Sequence, residues 1–345
     1  MNRLTRRLVR TICGLIALLM IGITPYGVAQ DTMTLVATGS SLPEPLYLAW
    51  SDEYHKQHSS VQLRYLPVGT GESAQEITSG SGDLGGGDAP IPDKQLKDAA
   101  APILQLPTVL IGIVIVFNLP DTLGELRLSG PILADIFLGK TKVWNDPAIA
   151  KLNPGLKLPA RPIQVVHRTD GKGSNYILSD FLCKVSPDFL AKAGRGESPK
   201  WPVGTGAGRS QDMTDHVRNT PGSIGYTELN LAERASLRIA HIKNAAGEFV
   251  MPSEKTIAAA ALAAKVTDDF RVSLTNATGK ESYPIGSFTW FYVPGKAKDP
   301  ARGRAVANYL KWVYSDGQKI AQERGYATLP KQLLAKVAAT TATIH

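Results

Sequence analysis

The run Val109–Phe117, Val-Leu-Ile-Gly-Ile-Val-Ile-Val-Phe, constrains the fold most. It has no polar side chain, is rich in β-branched residues and is far too short to cross a bilayer. A run of this kind reads as a strand buried on both faces, as in a largely parallel sheet covered by helices. Around it, helical and strand patterns alternate. Thr34–Thr38 is a strand, and Glu44–His55 carries Leu46, Trp50 and Tyr54 at helical spacing. Val61, Leu63 and Tyr65 alternate as in a half-buried strand, and a helix follows from Glu72. Ile163–His167, Ile224–Thr227 and Phe288–Val293 are further strands, and Arg302–Ser315 is a closing helix. This alternation defines the α/β class.

The chain has 345 residues, long for one core, yet no internal repeat, low-complexity tract or long flexible linker stands out. Two α/β lobes joined by strand-like crossings near Phe117 and Ser287 resolve this. Lobe I is then 30–117 plus 287–345, and lobe II is 118–286. Ligands of such folds sit at the carboxyl ends of strands and at helix N-termini.

Residues 1–29 are expected to be a signal peptide rather than part of the fold. Arg3, Arg6, Arg7 and Arg10 precede an apolar run, Ile12–Ile23, and Gly27-Val28-Ala29 supplies small residues for cleavage after Ala29. The run falls short of the ~20 residues of a membrane span, although an uncleaved anchor is the alternative. No cysteine follows it to carry a lipid. The expected location is the periplasm. Without this segment the formal charge falls from +8 to +4, which favours anions in general but gives no argument for nucleic acid. Cys13 leaves with the segment, so Cys183 has no partner within the chain and reads as a small core residue.

Three segments share one design: a strand, a Gly/Ser/Thr turn, then a helix. The first is Thr38-Gly39-Ser40-Ser41-Leu42-Pro43-Glu44-Pro45. Ser40 or Ser41 can cap, and Pro43 suits a first turn that needs no amide donor. The second is Gly69-Thr70-Gly71-Glu72-Ser73, where Thr70 offers a hydroxyl. The third is His167-Arg168-Thr169-Asp170-Gly171-Lys172-Gly173-Ser174-Asn175. There Arg168 suits bidentate contact with an oxyanion, and Asp170 can hold its guanidinium. Free amides and the helix dipole favour a bound anion at each. On their own, the first two read more readily as ordinary caps, and the third is as readily a charged solvent turn.

Gly82-Asp83-Leu84-Gly85-Gly86-Gly87-Asp88-Ala89-Pro90 adds a discriminating group. Asp88 beside an anion makes sense if the anion carries a proton, because a carboxylate accepts a hydrogen bond from protonated phosphate. Against fully ionised sulfate it is left as a repelling, unpaired acceptor.

Taken in order, these segments resemble the phosphate-binding protein of bacterial phosphate ABC importers. The likeness also takes in Pro107-Thr108-Val109, Trp144, Ile149–Gly155, Lys200-Trp201-Pro202, Pro221–Tyr226 and Gly325–Pro330. It implies a two-lobed periplasmic binding protein of type II, each lobe a mostly parallel sheet flanked by helices, with two hinge crossings. It implies a monomer that delivers inorganic phosphate to membrane permease subunits, with no cofactor, metal or nucleic acid. It carries ligand contacts onto Ser41, the Leu42 amide, Thr70, Asp88, Arg168, Lys172, the Gly173 amide and Ser174, with Asp170 orienting Arg168. Ser41, Thr70 and Ser174 exchange one hydroxyl residue of the family for another. Lys172 replaces a serine, and Glu72 stands in a run the family fills with small residues. These opposite charges suggest a Glu72–Lys172 pair across the closed cleft; the alternative is direct contact of Lys172 with the anion.

Two other readings stay in view. One is a binding protein for arsenate or sulfate. The other is a secreted phosphatase built on Ser41, His167 and Asp88, but Ser41 lacks a Gly-x-Ser-x-Gly elbow and the six histidines are scattered. Gly204–Gly208 lacks the residues of a phosphate-binding loop and reads as a plain loop.

Overall fold

The structure, a computed structural model, describes residues 32–169, 171–342 and 344. The expected signal segment and Asp170 lie outside the described residues. In chain order the strands are β1 (Met33–Thr38), β2 (Val61–Leu66), β3 (Leu84–Gly87), β4 (Ile103–Phe117), β5 (Arg127–Leu128), β6 (Gln164–Arg168), β7 (Thr205–Ala207), β8 (Ser223–Glu228), β9 (Arg238–Ile239), β10 (His241–Lys243), β11 (Phe249–Val250) and β12 (Gly286–Pro294). The helices are α1 (Glu44–Gln57), α2 (Thr70–Thr78), α3 (Asp93–Lys97), α4 (Gly130–Phe137), α5 (Pro147–Leu152), α6 (Gly173–Val185), α7 (Pro187–Lys192), α8 (Ser210–Asn219), α9 (Leu229–Arg234), α10 (Glu254–Ala263), α11 (Pro300–Val313), α12 (Asp316–Glu323) and α13 (Lys331–Thr341).

One long ladder organises the chain, in the order β2-β1-β3-β12-β4-β8-β6-β7. β4 is its pivot. Ile103–Gly112 pairs antiparallel with β12, and Ile113–Phe117 pairs antiparallel with β8. The strand therefore changes partners between Gly112 and Ile113, and the sheet falls into two halves. In one half β1 runs parallel to β2 and β3; in the other β6 runs parallel to β7 and β8. The sheets are mixed rather than mostly parallel, because β4 and β12 run against their neighbours. A three-stranded sheet, β11-β10-β5, forms separately.

β4 begins six residues before the apolar run. Pro107 has no N–H for a ladder, which argues against a strand there. A bulge absorbs it: Trp290 pairs with Pro107 and Thr289 with Val109, so Thr108 is the extra residue. Thr108 Oγ1 then bonds Tyr47 Oη at 2.7 Å and donates to the Thr289 carbonyl at 3.1 Å. β4 is buried from Gln105 to Phe117, as its composition requires.

Packing follows the sequence periods. Leu63 and Tyr65 of β2 are buried while Gln62 and Arg64 face water. α1 buries Leu46, Tyr47, Trp50 and Tyr54. Tyr47 stacks on Trp50 at 5.3 Å and meets Phe291 of β12 at 4.5 Å. Trp50 Nε1 donates to the Gly317 carbonyl at 2.7 Å, which ties α12 to this half. Cys183 is half-buried and free.

Asp180 on α6 is the other kind of interior group. It is 1% exposed and accepts from Lys184 at 3.0 Å, Arg195 at 3.3 Å, and Ser273 and Thr275 at 2.5 Å each. Burial opposes its charge, but Lys184 and the two hydroxyls outweigh that and hold its carboxyl below the usual value. A lowered folded value means stability present at neutral pH and lost as pH falls through the acid range. Asp180→Ala leaves the Ser273 and Thr275 hydroxyls without their acceptor, while Lys184 and Arg195 can reach water, and is expected to cost about 1–3 kcal/mol in urea unfolding at pH 7. The difference from the parent should shrink on acidification.

Candidate functional site

Three helix starts were expected to meet an anion, and two of them face each other here. α2 begins after Gly69, whose φ of 118° suits glycine, and has no side-chain cap. α6 begins after Lys172, also without a side-chain cap. A methyl group built on Gly69 would lie 3.0 Å from the Gly171 carbonyl oxygen and 3.9 Å from Lys172 Nζ. One built on Gly173 would overlap the Asp88 carboxylate. Thus the turn before α6, in one half of the molecule, abuts the α2 start and the end of β3 in the other.

Asp88 lies at the centre of this contact and is fully buried. β3 delivers it through Leu84-Gly85-Gly86-Gly87, where the glycines let neighbours come close: a methyl on Gly87 would overlap Tyr292 Oη. The Asp88 amide donates to Thr70 Oγ1 at 3.2 Å. Its Oδ2 accepts from Ser40 Oγ. Its Oδ1 is buried with no partner. Across the contact, Ser174 Oγ is likewise buried and unpaired. Such atoms cost about 1–3 kcal/mol each unless something completes them. Burial pushes the Asp88 carboxyl up to about 7; the Ser40 hydrogen bond and the nearby Thr289 hydroxyl resist this, and the charges of Glu228 and Glu197 add to it.

The first turn differs from expectation. α1 starts after Pro43 without a side-chain cap. Ser40, not Ser41, makes the polar contacts: its Oγ accepts from the Leu42 amide at 3.1 Å while donating to Asp88. Ser41 is half-buried and makes no hydrogen bond among the described residues. The Tyr65 hydroxyl donates to the Ser40 carbonyl at 2.7 Å and fixes the turn.

Arg168 ends β6 and is 2% exposed. Its Nε donates to the Ala207 carbonyl at 3.2 Å, one terminal nitrogen to Ser210 Oγ at 2.8 Å and the other to the Gly208 carbonyl at 2.9 Å. Ser210 Oγ in turn donates to Glu228 at 2.9 Å. Burial lowers the Arg168 value, and Glu228 acts against that. The guanidinium is therefore held by the loop before α8, a role the sequence did not suggest. Gly204–Gly208, expected to be a loop, contains edge strand β7 and supplies two of those carbonyls. Asn175 fixes the neighbouring turn by donating to the Thr169 and Glu197 carbonyls at 2.8 and 2.9 Å. Its Oδ1 accepts from Tyr226, whose hydroxyl receives the Arg168 amide at 2.8 Å.

Glu72 and Lys172 form no ion pair here; Glu72 is exposed on the first turn of α2, and Lys172 Nζ approaches Gly69 instead. Among the described residues, no group of three or more His, Cys, Asp or Glu side chains converges to hold a metal. None of their helices is long and apolar enough to cross a membrane.

A shared ladder with helices on its faces, and helix starts converging where its halves meet, define a binding-protein architecture. Residues 24–317 match the model of the PBP superfamily domain. The ancestral soluble variant of the human phosphate binding protein has a TM-score of 0.72 at 18% identity, over 89% of this chain and 93% of that one. The periplasmic phosphate-binding protein PfluDING gives 0.69 at 20%, over 89% and 93%. The fold is thus the α/β fold of periplasmic binding proteins. The phosphate-binding protein PstS of Pasteurella multocida (strain Pm70) is 37% identical over 325 residues, 93% of this chain and 94% of that protein. The chain belongs to the PstS family of phosphate-binding proteins, a family of binding proteins and not of enzymes.

Proposed function

We propose that the protein captures inorganic phosphate in the cleft where its halves meet and delivers it to the membrane permease subunits of a phosphate ABC importer. It does so as a monomer in the periplasm, after removal of residues 1–29. The lobes are 30–117 with 287–345, and 118–286; the partner change in β4 at Gly112/Ile113 supports a first crossing just ahead of Phe117. Thr70, Asp88, Lys172, Gly173 and Ser174 line the cleft. Ser41, Leu42 and Arg168 join them when the anion draws the Leu42 amide and the guanidinium from their present partners. Asp170 supports Arg168. The kinship with PstS supports this assignment.

The observation that carries the reading is a pair of buried, unpaired oxygens, Asp88 Oδ1 and Ser174 Oγ, on residues from opposite sides of the contact that Gly173 makes with Asp88. One can accept a proton bond and the other can donate one. A tetrahedral anion that still carries a hydrogen satisfies both. Arsenate shares that chemistry, whereas sulfate at neutral pH lacks the hydrogen.

Calorimetry with phosphate and sulfate at pH 8 and pH 5 tests this. At pH 8 Asp88 is ionised, so phosphate binds and sulfate does not. Below the value of about 7, Asp88 is neutral and its repulsion of a fully ionised anion disappears. Measurable sulfate binding is therefore expected at pH 5. Sulfate binding as tight as phosphate at pH 8 would remove the role given to Asp88.

A further inference from the structure

Glu197 lies between α7 and β7 and is not among the ligand positions above. Its backbone is fastened to the turn before α6. The Glu197 carbonyl accepts from the amides of Gly171 at 3.1 Å and Lys172 at 3.3 Å, and from Asn175 Nδ2. On either side, Ser198 Oγ accepts from the Gly171 amide at 3.0 Å, and Gly196 exchanges two hydrogen bonds with Ser179 Oγ, each 3.0 Å. Glu197 thus rides on a rigid platform in the β6–β8 half.

Its carboxylate crosses to the other half. A methyl group built on Gly71, in the first turn of α2, would overlap Glu197 Oε2. The carboxylate makes no hydrogen bond or ion pair of its own among the described residues. The turn it meets belongs to a nine-residue helix with no side-chain cap. A helix start carries partial positive charge from its free amides, and a carboxylate there is stabilising. Asp88 feels the charge of Glu197, Glu72 follows Gly71 in the same turn, Lys172 Nζ lies over Gly69, and Arg195 acts with Glu197 on Tyr176. Placing another carboxylate beside Asp88 is electrostatically costly, so the contact with α2 must offset that cost when the halves meet.

We propose that Glu197 sets its charge against the start of α2 from the opposite side of the cleft and so holds the site closed around its anion. It is a positioning residue: it need not touch the ligand, and it acts by slowing reopening. Gly71 is its counterpart, because a larger residue there leaves no room for the carboxylate. The inference rests on the phosphate reading above.

Stopped-flow measurement of phosphate binding tests it. Glu197→Gln, which keeps the size and removes the charge, should raise the phosphate off-rate about five- to tenfold with an on-rate changed less than about twofold. Gly71→Ala should do the same. Gly71→Ala in a Glu197→Ala background should add nothing further. An unchanged off-rate in Glu197→Gln, or a Gly71→Ala effect undiminished in the double variant, would overturn the proposal. Small-angle X-ray scattering of the phosphate-free proteins separates its failure from that of the phosphate reading. The parent should be more compact than Glu197→Gln even if phosphate proves not to be the ligand, and equal dimensions would count against the contact.

Discussion

Gly173→Ala is expected to weaken phosphate binding about ten- to hundredfold while leaving the ligand-free protein nearly as stable as the parent. The first effect is steric and local. A methyl group at position 173 occupies the space of the Asp88 carboxylate, overlapping the Oδ2 that Ser40 already holds. Overpacking a filled site costs about 1–3 kcal/mol, or one to two decades in affinity. The second effect follows because the two residues sit in different halves of the ladder, so the overlap can be relieved by parting them. Gly173 is the first residue of α6, where alanine is at least as good a helix former. Calorimetric titration with phosphate, alongside a thermal melt, checks both. An unchanged affinity would show that the Gly173–Asp88 contact is absent from the bound state.

Asp88→Asn should have two large effects of opposite sign. The carboxyl value is about 7 when folded against 3.8 for an unperturbed group, because burial penalises its charge. A raised folded value means a contribution fully present below about pH 4 and lost as pH rises through about 7. At pH 8 the parent thus carries an ionisation penalty of up to about 4 kcal/mol, at 1.36 kcal/mol per pH unit of difference. Asparagine removes it. The ligand-free variant should be more stable than the parent by about 2–4 kcal/mol at pH 8 and by little at pH 4. Its selectivity should fall, since the amide can donate to a fully ionised oxygen. Phosphate affinity drops about tenfold and sulfate binding appears at pH 8. Equal stability of the two proteins at both pH values would mean that Asp88 is not held in an ionisation-penalised site.

Much of this was legible in the residues, and the exceptions have physical causes. The apolar strand, the alternating β2 and the amphipathic α1 were visible because burial imposes a period on composition. The start of β4 was not, since Pro107 argues against a ladder and only its distant partner, β12, shows the bulge that admits it. At the proposed site, Asp88 stood out as a carboxylate in a glycine turn, whereas Thr70, Gly173 and Ser174 were pointed to only by the family resemblance that the order of the segments carries. Ser40 and Ser41 are adjacent hydroxyls in one turn, and the backbone path alone decides which faces Asp88. Arg168 was marked by its charge, but its carbonyl partners lie about forty residues on, in a glycine-rich stretch where they are backbone atoms that no side chain betrays. Glu197 carries no motif at all. Its position matters only because Gly171, Lys172 and Asn175 hold its backbone, a long-range fact that spacing cannot encode. The Glu72–Lys172 pair was inferred from complementary charge. In the fold, Glu72 points to water and Glu197 takes the place against α2.

The central claim is that the unpaired oxygens of Asp88 and Ser174 bind one anion between them. A crystal structure of the protein with phosphate tests it most directly. The account predicts a phosphate with one oxygen within about 3 Å of Asp88 Oδ1 and another within about 3 Å of Ser174 Oγ. Phosphate bound elsewhere, with both oxygens still lacking a partner, would contradict it.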